Sequence, residues 1–120
     1  MLESARAQLW LRRAFFVCAV FAFVMALLPK PPEIPGEPGD KIQHMIAFAT
    51  LGALAAAGWR DRRLVLLFSW LAGFGAAIEV FQMIPALHRD AELLDWLADM
   101  AAAAVALGVV RALLDYSARR

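Results

Sequence analysis

The stretch LVLLFSWLAGFGAAIEVFQMI, residues 64–84, is apolar almost throughout but contains one carboxylate, Glu79. A helix rises about 1.5 Å per residue, so about 20 such residues cross the ~30 Å hydrocarbon core of a bilayer. A charged side chain within that core costs about 2.5–3.5 kcal/mol on insertion scales, and it usually faces the protein interior or a water-filled cavity. The stretch therefore predicts a transmembrane helix with a polar site near one end.

The composition extends this prediction to the whole chain. Of its 120 residues, 62% are hydrophobic and only 19% are charged. A soluble domain of this length cannot bury so much apolar surface, so we expect a membrane protein with membrane lipids as its main partner. The net charge of +1 is too small to favour nucleic acid, and we expect no such partner. A single cysteine, Cys18, excludes an intramolecular disulfide bond.

Four apolar runs predict an all-α bundle of four transmembrane helices, and no domain boundary interrupts residues 1–120. We expect the helices at about residues 10–28, 42–59, 64–84 and 93–114. Residues 29–39 are rich in proline, which removes backbone donors and favours extended geometry, so they predict a stiff outer loop. The short segment 58–63 predicts a tight inner turn that makes the second and third helices antiparallel neighbours.

The basic residues predict the orientation of these helices, because Lys and Arg concentrate in cytoplasmic loops. With both termini in the cytoplasm, three basic residues lie on the outer side, namely Lys30, Lys41 and Arg89. The other nine then lie on the inner side: Arg6, Arg12, Arg13, Arg60, Arg62, Arg63, Arg111, Arg119 and Arg120. We therefore predict an even number of spans with both termini cytoplasmic.

Small residues recur at near-helical spacing within these runs. Such residues let helix backbones approach closely, which matters because apolar side chains gain little by leaving lipid. We expect them to pack the helices of one bundle together. They are Gly52, Ala55, Ala56, Gly73, Ala76, Ala77 and the run 101–104.

Polar residues recur at the predicted outer ends of three helices, in pairs three or four residues apart that share a helix face. The candidate site comprises Asp40, Lys41, His44, Glu79, Gln82, Arg89, Asp95 and Asp99. Some have simpler explanations, since Asp40 fits a helix N-cap and Asp95 fits the positive end of a helix dipole. Lys41 can extend its charge to the membrane surface. His44, Glu79 and Asp99 lie a turn or more inside, where these explanations fail.

The order and spacing of these residues resemble the VanZ-like family of bacterial membrane proteins. The resemblance rests on Asp40-Lys41-x-x-His44, on Glu79-x-x-Gln82, and on Arg89 followed six residues later by Asp95. It covers about residues 40–107. The chain differs from the family pattern at Asp99, where Asn is expected, at Ala102, where Gly is usual, and at Glu92, which is often Ser.

This resemblance implies a multi-pass protein of the bacterial cytoplasmic (inner) membrane with a shared polar site. It implies no reaction, although the family's name comes from a protein linked to resistance to the glycopeptide teicoplanin. The first hypothesis is a site facing the outer leaflet that binds or acts on a cell-envelope component, such as a lipid-linked precursor. His44, Glu79 and Asp95 would transfer protons, while Asp40, Lys41, Gln82, Arg89 and Asp99 would bind the ligand.

Three alternatives remain open at this stage. The polar residues could serve an accessory subunit that docks onto a partner membrane protein or a second copy of the chain. They could also tie the helices together by hydrogen bonds alone. Proton or cation transport is less favoured, because the acidic residues do not continue through the inner half of the span. No H-x-x-x-H spacing supports a metal site, and we expect neither a metal nor another cofactor.

Overall fold

The computed structural model describes residues 2–28, 40–85 and 93–119, and these form four α-helices without any β-strand. The helices are α1 (Leu2–Leu27), α2 (Asp40–Gly58), α3 (Leu64–Gln82) and α4 (Leu93–Ala118). The prediction of an all-α protein with four helices is confirmed. The proline-rich loop at 29–39 and Arg89 lie outside the described residues, as do the side chains of Asp40 and Lys41.

The observed helices differ from the predicted ones mainly at their ends. Helix α1 begins at Leu2 rather than near residue 10, and α4 continues to Ala118 rather than ending near residue 114. Hydropathy detects only the apolar part of a helix. Residues such as Ala5 and Arg6 also favour helix, although the segment that contains them is not apolar throughout. Helix α3 ends at Gln82, where the next two amides, of Met83 and Ile84, bond to carbonyls three residues back.

Three of the helices contain segments long and apolar enough to cross a membrane: Ala5–Leu27, Leu64–Gln82 and Leu93–Ala118. The apolar part of α2, Ile42–Gly58, is shorter, since Asp40 and Lys41 occupy its first turn. At 1.5 Å per residue it spans about 25 Å, a little less than the hydrocarbon core. The length and composition of the helices thus indicate a membrane protein.

Helices α2 and α4 run parallel and share the most extensive interface in the described structure. Gly52 lies against Ala103, and about two turns beyond, the backbone carbonyl of Trp59 accepts a hydrogen bond from Arg111. Helix α1 runs antiparallel to α2, because Arg12 contacts Gly58 whereas the last turn of α1 lies near the start of α2. The predicted contact between α2 and α3 exists, but α3 packs more extensively on α4.

The interface between α2 and α4 depends on small residues. A Cβ atom added at Gly52 would lie 2.8 Å from the carbonyl oxygen of Ala103 and 3.2 Å from the Cβ atom of Ala106. Ala55, Ala56 and Ala103 are fully buried nearby, as predicted. The prediction is wrong for Gly73 and Ala76 on α3 and for Ala101 and Ala104 on α4, which are exposed. Gly73 has open space where its side chain would be.

These contacts give the bundle, which measures 50 × 24 × 22 Å, two chemically different ends. We call the end that contains Arg12, Trp59 and Arg111 the arginine end. We call the opposite end, which contains His44, Glu79 and Asp95, the acidic end. The arginine end holds the start of α1 and α3 and the finish of α2 and α4, and the acidic end holds the other four termini.

Candidate functional site

The contacts between helices show which residues of the acidic end lie at the same level along the bundle. Gly52 of α2 is opposite Ala103 of the parallel helix α4. His44 and Asp95 each precede their member of this pair by eight residues (52 − 44 = 103 − 95). His44 and Asp95 therefore lie at the same level, on neighbouring helices, and both are half-buried.

Helix α3 brings Glu79 to nearly the same level. A Cβ atom added at Gly75 would lie 3.0 Å from Cε of Met100 and 3.1 Å from Cδ1 of Trp96, so this face of α3 packs on α4. Glu79 follows Gly75 by four residues, which places it on the same face one turn closer to the acidic end. Glu79 is half-buried, and it lies on the side of α3 that faces the start of α4.

Asp99 is the deepest acidic residue of the candidate site. It is 3% exposed, and it shares a face with Ala103, the residue of α4 that meets Gly52. This position directs Asp99 toward α2, one turn farther from the acidic end than Asp95. Asp99, like His44, Glu79 and Asp95, takes part in an interaction within the protein, so none of the four is isolated.

Gln82 is also buried, at 2% exposure, but it faces a different helix. Its Nε2 atom donates a hydrogen bond of 2.9 Å to the carbonyl oxygen of Ala26. Ala26 belongs to the last turn of α1, where backbone carbonyls have no partner within their own helix. Gln82 therefore ties α3 to α1, a structural task that the sequence pattern did not indicate.

A cavity of about 140 Å³ lies beside His44, between α1, α2 and α3. His44 is its only ionisable lining residue within the described part of the chain, and Gln43 is the other polar one. Phe21 and Met25, which are exposed on α1, lie at the border of the cavity. The remaining lining residues are Ala22, Ala26, Ala47, Phe48 and Ile78. The cavity is thus mainly apolar, with an imidazole on one wall.

The structure therefore gathers part of the predicted site. His44, Glu79 and Asp95 lie within about one helical turn of the same level, Asp99 lies one turn deeper, and Gln82 faces α1. Asp40 and Lys41 form the first turn of α2, beyond His44. Within residues 2–28, 40–85 and 93–119, no three His, Cys, Asp or Glu side chains are placed to share a metal ion.

Sequence reasoning missed the role of the basic residues at the arginine end. Three arginines donate to backbone carbonyls where α2 ends: Arg12 Nε to Gly58 at 2.6 Å, Arg60 Nε to Ala57 at 3.3 Å, and Arg111 Nη2 to Trp59 at 3.3 Å. Basic side chains near a helix C-terminus satisfy its free carbonyls and interact favourably with the helix dipole. The closeness of Arg60 to the end of α2 was a signal for this role.

Aromatic rings complete this arrangement. The Arg12 guanidinium lies 5.2 Å from the ring centroid of Trp59. Trp59 also makes edge-to-face contacts with Phe15, Phe16 and Trp70, at centroid distances of 5.2, 5.9 and 5.9 Å. The end of α2 is therefore held against α1 and α3 by a cluster of rings as well as by hydrogen bonds.

At the level of class, the fold and composition define an all-helical membrane protein. No protein-family model, curated protein or solved structure matches the chain. The resemblance to the VanZ-like family accordingly rests on the residues quoted in the sequence analysis.

Proposed function

We propose that the chain is a VanZ-like protein of the bacterial cytoplasmic membrane, and that its acidic end binds or acts on a cell-envelope component at the outer leaflet. In this proposal all four helices cross the membrane and both termini are cytoplasmic. The observation that carries the proposal is the common level of His44, Glu79 and Asp95, together with the cavity between α1, α2 and α3 that His44 lines.

The distribution of charge supports the proposed orientation. The arginine end carries Arg6, Arg12, Arg13, Arg60, Arg62, Arg63, Arg111 and Arg119 in the described residues. Such an excess of basic residues is typical of the cytoplasmic side. The apolar part of α2 is shorter than that of the other helices. However, the start of α2 lies near the last turn of α1 and the end of α2 contacts Arg12 of α1, which supports a fourth span.

The chemistry of the acidic end supports proton transfer or recognition of a polar ligand. A half-buried imidazole and two half-buried carboxylates at one level can exchange protons with a ligand, as general acid–base catalysis requires. In the proposed site His44, Glu79 and Asp95 have this role. Lys41 and Arg89 attract an anionic group such as phosphate, while Asp40 and Asp99 orient the ligand and Gln82 holds α3 against α1.

The cavity favours a ligand that is attached to lipid. It is bordered by Phe21 and Met25, two exposed residues of a helix that is apolar enough to cross the membrane. An apolar chain from the bilayer can therefore reach the cavity, while its polar group lies near His44. A lipid-linked sugar or phosphate combines these two properties.

The described hydroxyl groups give no support to a serine or threonine nucleophile. Thr50 and Ser69 each donate to a carbonyl four residues earlier in their own helix, at 2.8 Å in both cases. Neither residue belongs to the acidic end. If the site is catalytic, a carboxylate, an imidazole or an activated water is therefore a better candidate for the attacking group.

The test is purification of the full chain from bacterial membranes in mild detergent, followed by mass spectrometry of the lipids that remain bound. We expect the wild-type protein to retain an envelope lipid that Glu79→Gln loses, because the amide keeps the shape of the side chain but cannot accept a proton. The matched control is Asp115→Asn, the same change at an exposed residue of the arginine end. Equal retention by all three proteins would contradict the proposal.

A second candidate function is that of an accessory subunit. An open apolar groove of about 580 Å³ runs along the surface between α2 and α4, and its lining includes Met45, Ala49, Ala101 and Val105. Small residues on such a surface allow close packing of another transmembrane helix. Cysteine cross-linking from Val105→Cys, in a Cys18→Ser background, tests this function. A cross-linked membrane protein or second copy would support it, and cross-links to neither would count against it.

A further inference from the structure

Two adjacent arginines of α1 have opposite surroundings. Arg12 is half-buried, where it donates to the carbonyl of Gly58 and lies over Trp59. Arg13 is exposed, and its guanidinium lies 5.0 Å from the ring centroid of Trp10. No described residue accepts a hydrogen bond from Arg13 or forms an ion pair with it. Arg12 is thus committed to the fold, whereas the donors of Arg13 are available to a ligand.

A shallow surface groove runs along α1 from Arg13 toward the middle of the bundle, and all of its described lining residues belong to this helix. It has a volume of about 460 Å³ and is lined by Trp10, Arg13, Ala14, Val17, Cys18 and Phe21. From Trp10 to Phe21 the helix rises about 16 Å at 1.5 Å per residue. Among the described residues that line the groove, Arg13 is the only charged one, and it lies near the arginine end. One end of the groove is therefore cationic and the rest is apolar.

The surrounding charge favours an anion at this position. The exposed residues of the arginine end include the cations Arg6, Arg13, Arg60, Arg62, Arg63 and Arg119. The exposed acids described there are Asp61 and Asp115. Basic residues beside a membrane attract anionic lipids, and a guanidinium binds phosphate through two parallel hydrogen bonds.

We propose that this groove binds one anionic glycerophospholipid. The lipid phosphate accepts hydrogen bonds from Arg13, and one acyl chain lies along Ala14, Val17 and Phe21. Trp10 holds the guanidinium in place by a cation–π contact, so less side-chain freedom is lost when the phosphate binds. This site lies at the opposite end from the acidic residues, and it does not rest on the function proposed for them.

The ligand must have both parts of the lipid. A free phosphate would contact Arg13 but leave the apolar groove unused, and a zwitterionic lipid would fill the groove but bring no net negative charge to the arginine. The proposal therefore predicts a preference for phosphatidylglycerol over phosphatidylcholine with the same acyl chains. It also predicts that soluble glycerol phosphate competes poorly.

Native mass spectrometry of the full chain in detergent tests this preference. We expect one phosphatidylglycerol molecule to bind about tenfold more tightly than phosphatidylcholine, whose choline cation offsets the charge of its phosphate beside Arg13. Arg13→Gln should remove most of this preference. Arg63→Gln is the matched control, because Arg63 is also exposed at the arginine end but does not line the groove. It should change the preference less than about twofold.

Two further measurements keep the proposal open to contradiction. Trp10→Leu retains every charge but removes the stacking partner of Arg13, so it should weaken phosphatidylglycerol binding by a smaller factor than Arg13→Gln. Circular dichroism of each variant checks that the helices remain intact. Equal losses in Arg13→Gln and Arg63→Gln would show diffuse attraction rather than a site, and displacement of the lipid by glycerol phosphate would show that the groove contributes nothing.

Discussion

The two ends of the bundle use polar residues in opposite ways. At the arginine end, Arg12, Arg60 and Arg111 donate to backbone carbonyls where α2 ends, and most other basic residues are exposed. At the acidic end, His44, Glu79 and Asp95 are half-buried, and Asp99 and Gln82 are its two buried polar residues among those described. Charged groups at the first end bind backbone carbonyls or are exposed, while the described acidic groups at the second end are half-buried or buried between helices.

This difference follows from the chemistry of the side chains. A long arginine can keep its stem in the apolar region while its guanidinium reaches a helix terminus or the membrane surface. A carboxylate has a short stem and no donor when ionised, so it cannot satisfy a carbonyl oxygen. Its burial between helices is costly unless partners are present, and replacing a buried ionic group by an apolar one often stabilises a protein. The acidic end is therefore the part of the fold that packing alone explains least.

The largest effect on stability is expected at Gly52, where α2 and α4 come into close contact. Gly52→Leu places a side chain where even a Cβ atom would lie 2.8 Å from the carbonyl of Ala103. Because that neighbour is helix backbone, α2 and α4 must separate, and we expect a loss of about 3 kcal/mol or more in the free energy of unfolding. Denaturant titration in detergent micelles measures this loss.

Gly73→Leu is the control for this substitution, since the same side chain at Gly73 would enter open space. Because leucine has a higher helix propensity than glycine, it should leave the free energy of unfolding unchanged or raise it by up to about 1 kcal/mol. Similar losses in both variants would show that the larger side chain alone, rather than the close approach of α2 and α4, sets the effect. The common level of His44 and Asp95 would then lose its structural basis.

A smaller effect is expected from Arg12→Gln at the arginine end. The shorter neutral side chain loses the hydrogen bond to Gly58 and the contact with the Trp59 ring. A charge-assisted hydrogen bond contributes about 1.5–3 kcal/mol, so we expect a loss of about 2 kcal/mol in the free energy of unfolding. The same titration on Arg13→Gln should show almost no loss in the free energy of unfolding. A comparable loss there would contradict the inference that Arg12, and not Arg13, stabilises the fold.

Several residues show which parts of the structure the sequence predicts and which parts it does not. Apolar runs predicted four helices, and the arginine pattern separated the two ends, because hydropathy and charge act locally. The carboxylate of Glu79 marked the acidic end for the same reason. The bond from Gln82 to Ala26 and the pairing of α2 with α4 were not predicted, since both depend on contacts between distant segments. Hydropathy also could not show which small residues face inward, as Gly52 and Gly73 illustrate.

A smaller change in stability than at Gly52 or Arg12 is expected at Asp99, the most deeply buried of the described acidic residues. Asp99→Asn conserves the shape of the side chain and introduces the residue that the VanZ-like pattern has at this position. The amide can still form hydrogen bonds between the helices, and it removes the free-energy cost of burying a charge. We therefore expect the free energy of unfolding to change by less than about 1 kcal/mol, in either direction.

If Asp99 serves only to hold helices together, the bound lipids should then also stay the same. If its charge takes part in the site, the protein should remain folded but retain less of the lipid that is lost with Glu79→Gln. Lipid mass spectrometry of Asp99→Asn, beside its denaturant titration, separates the two outcomes. Unchanged stability with unchanged lipid retention would restrict the functional part of the acidic end to His44, Glu79 and Asp95, the three residues at one level.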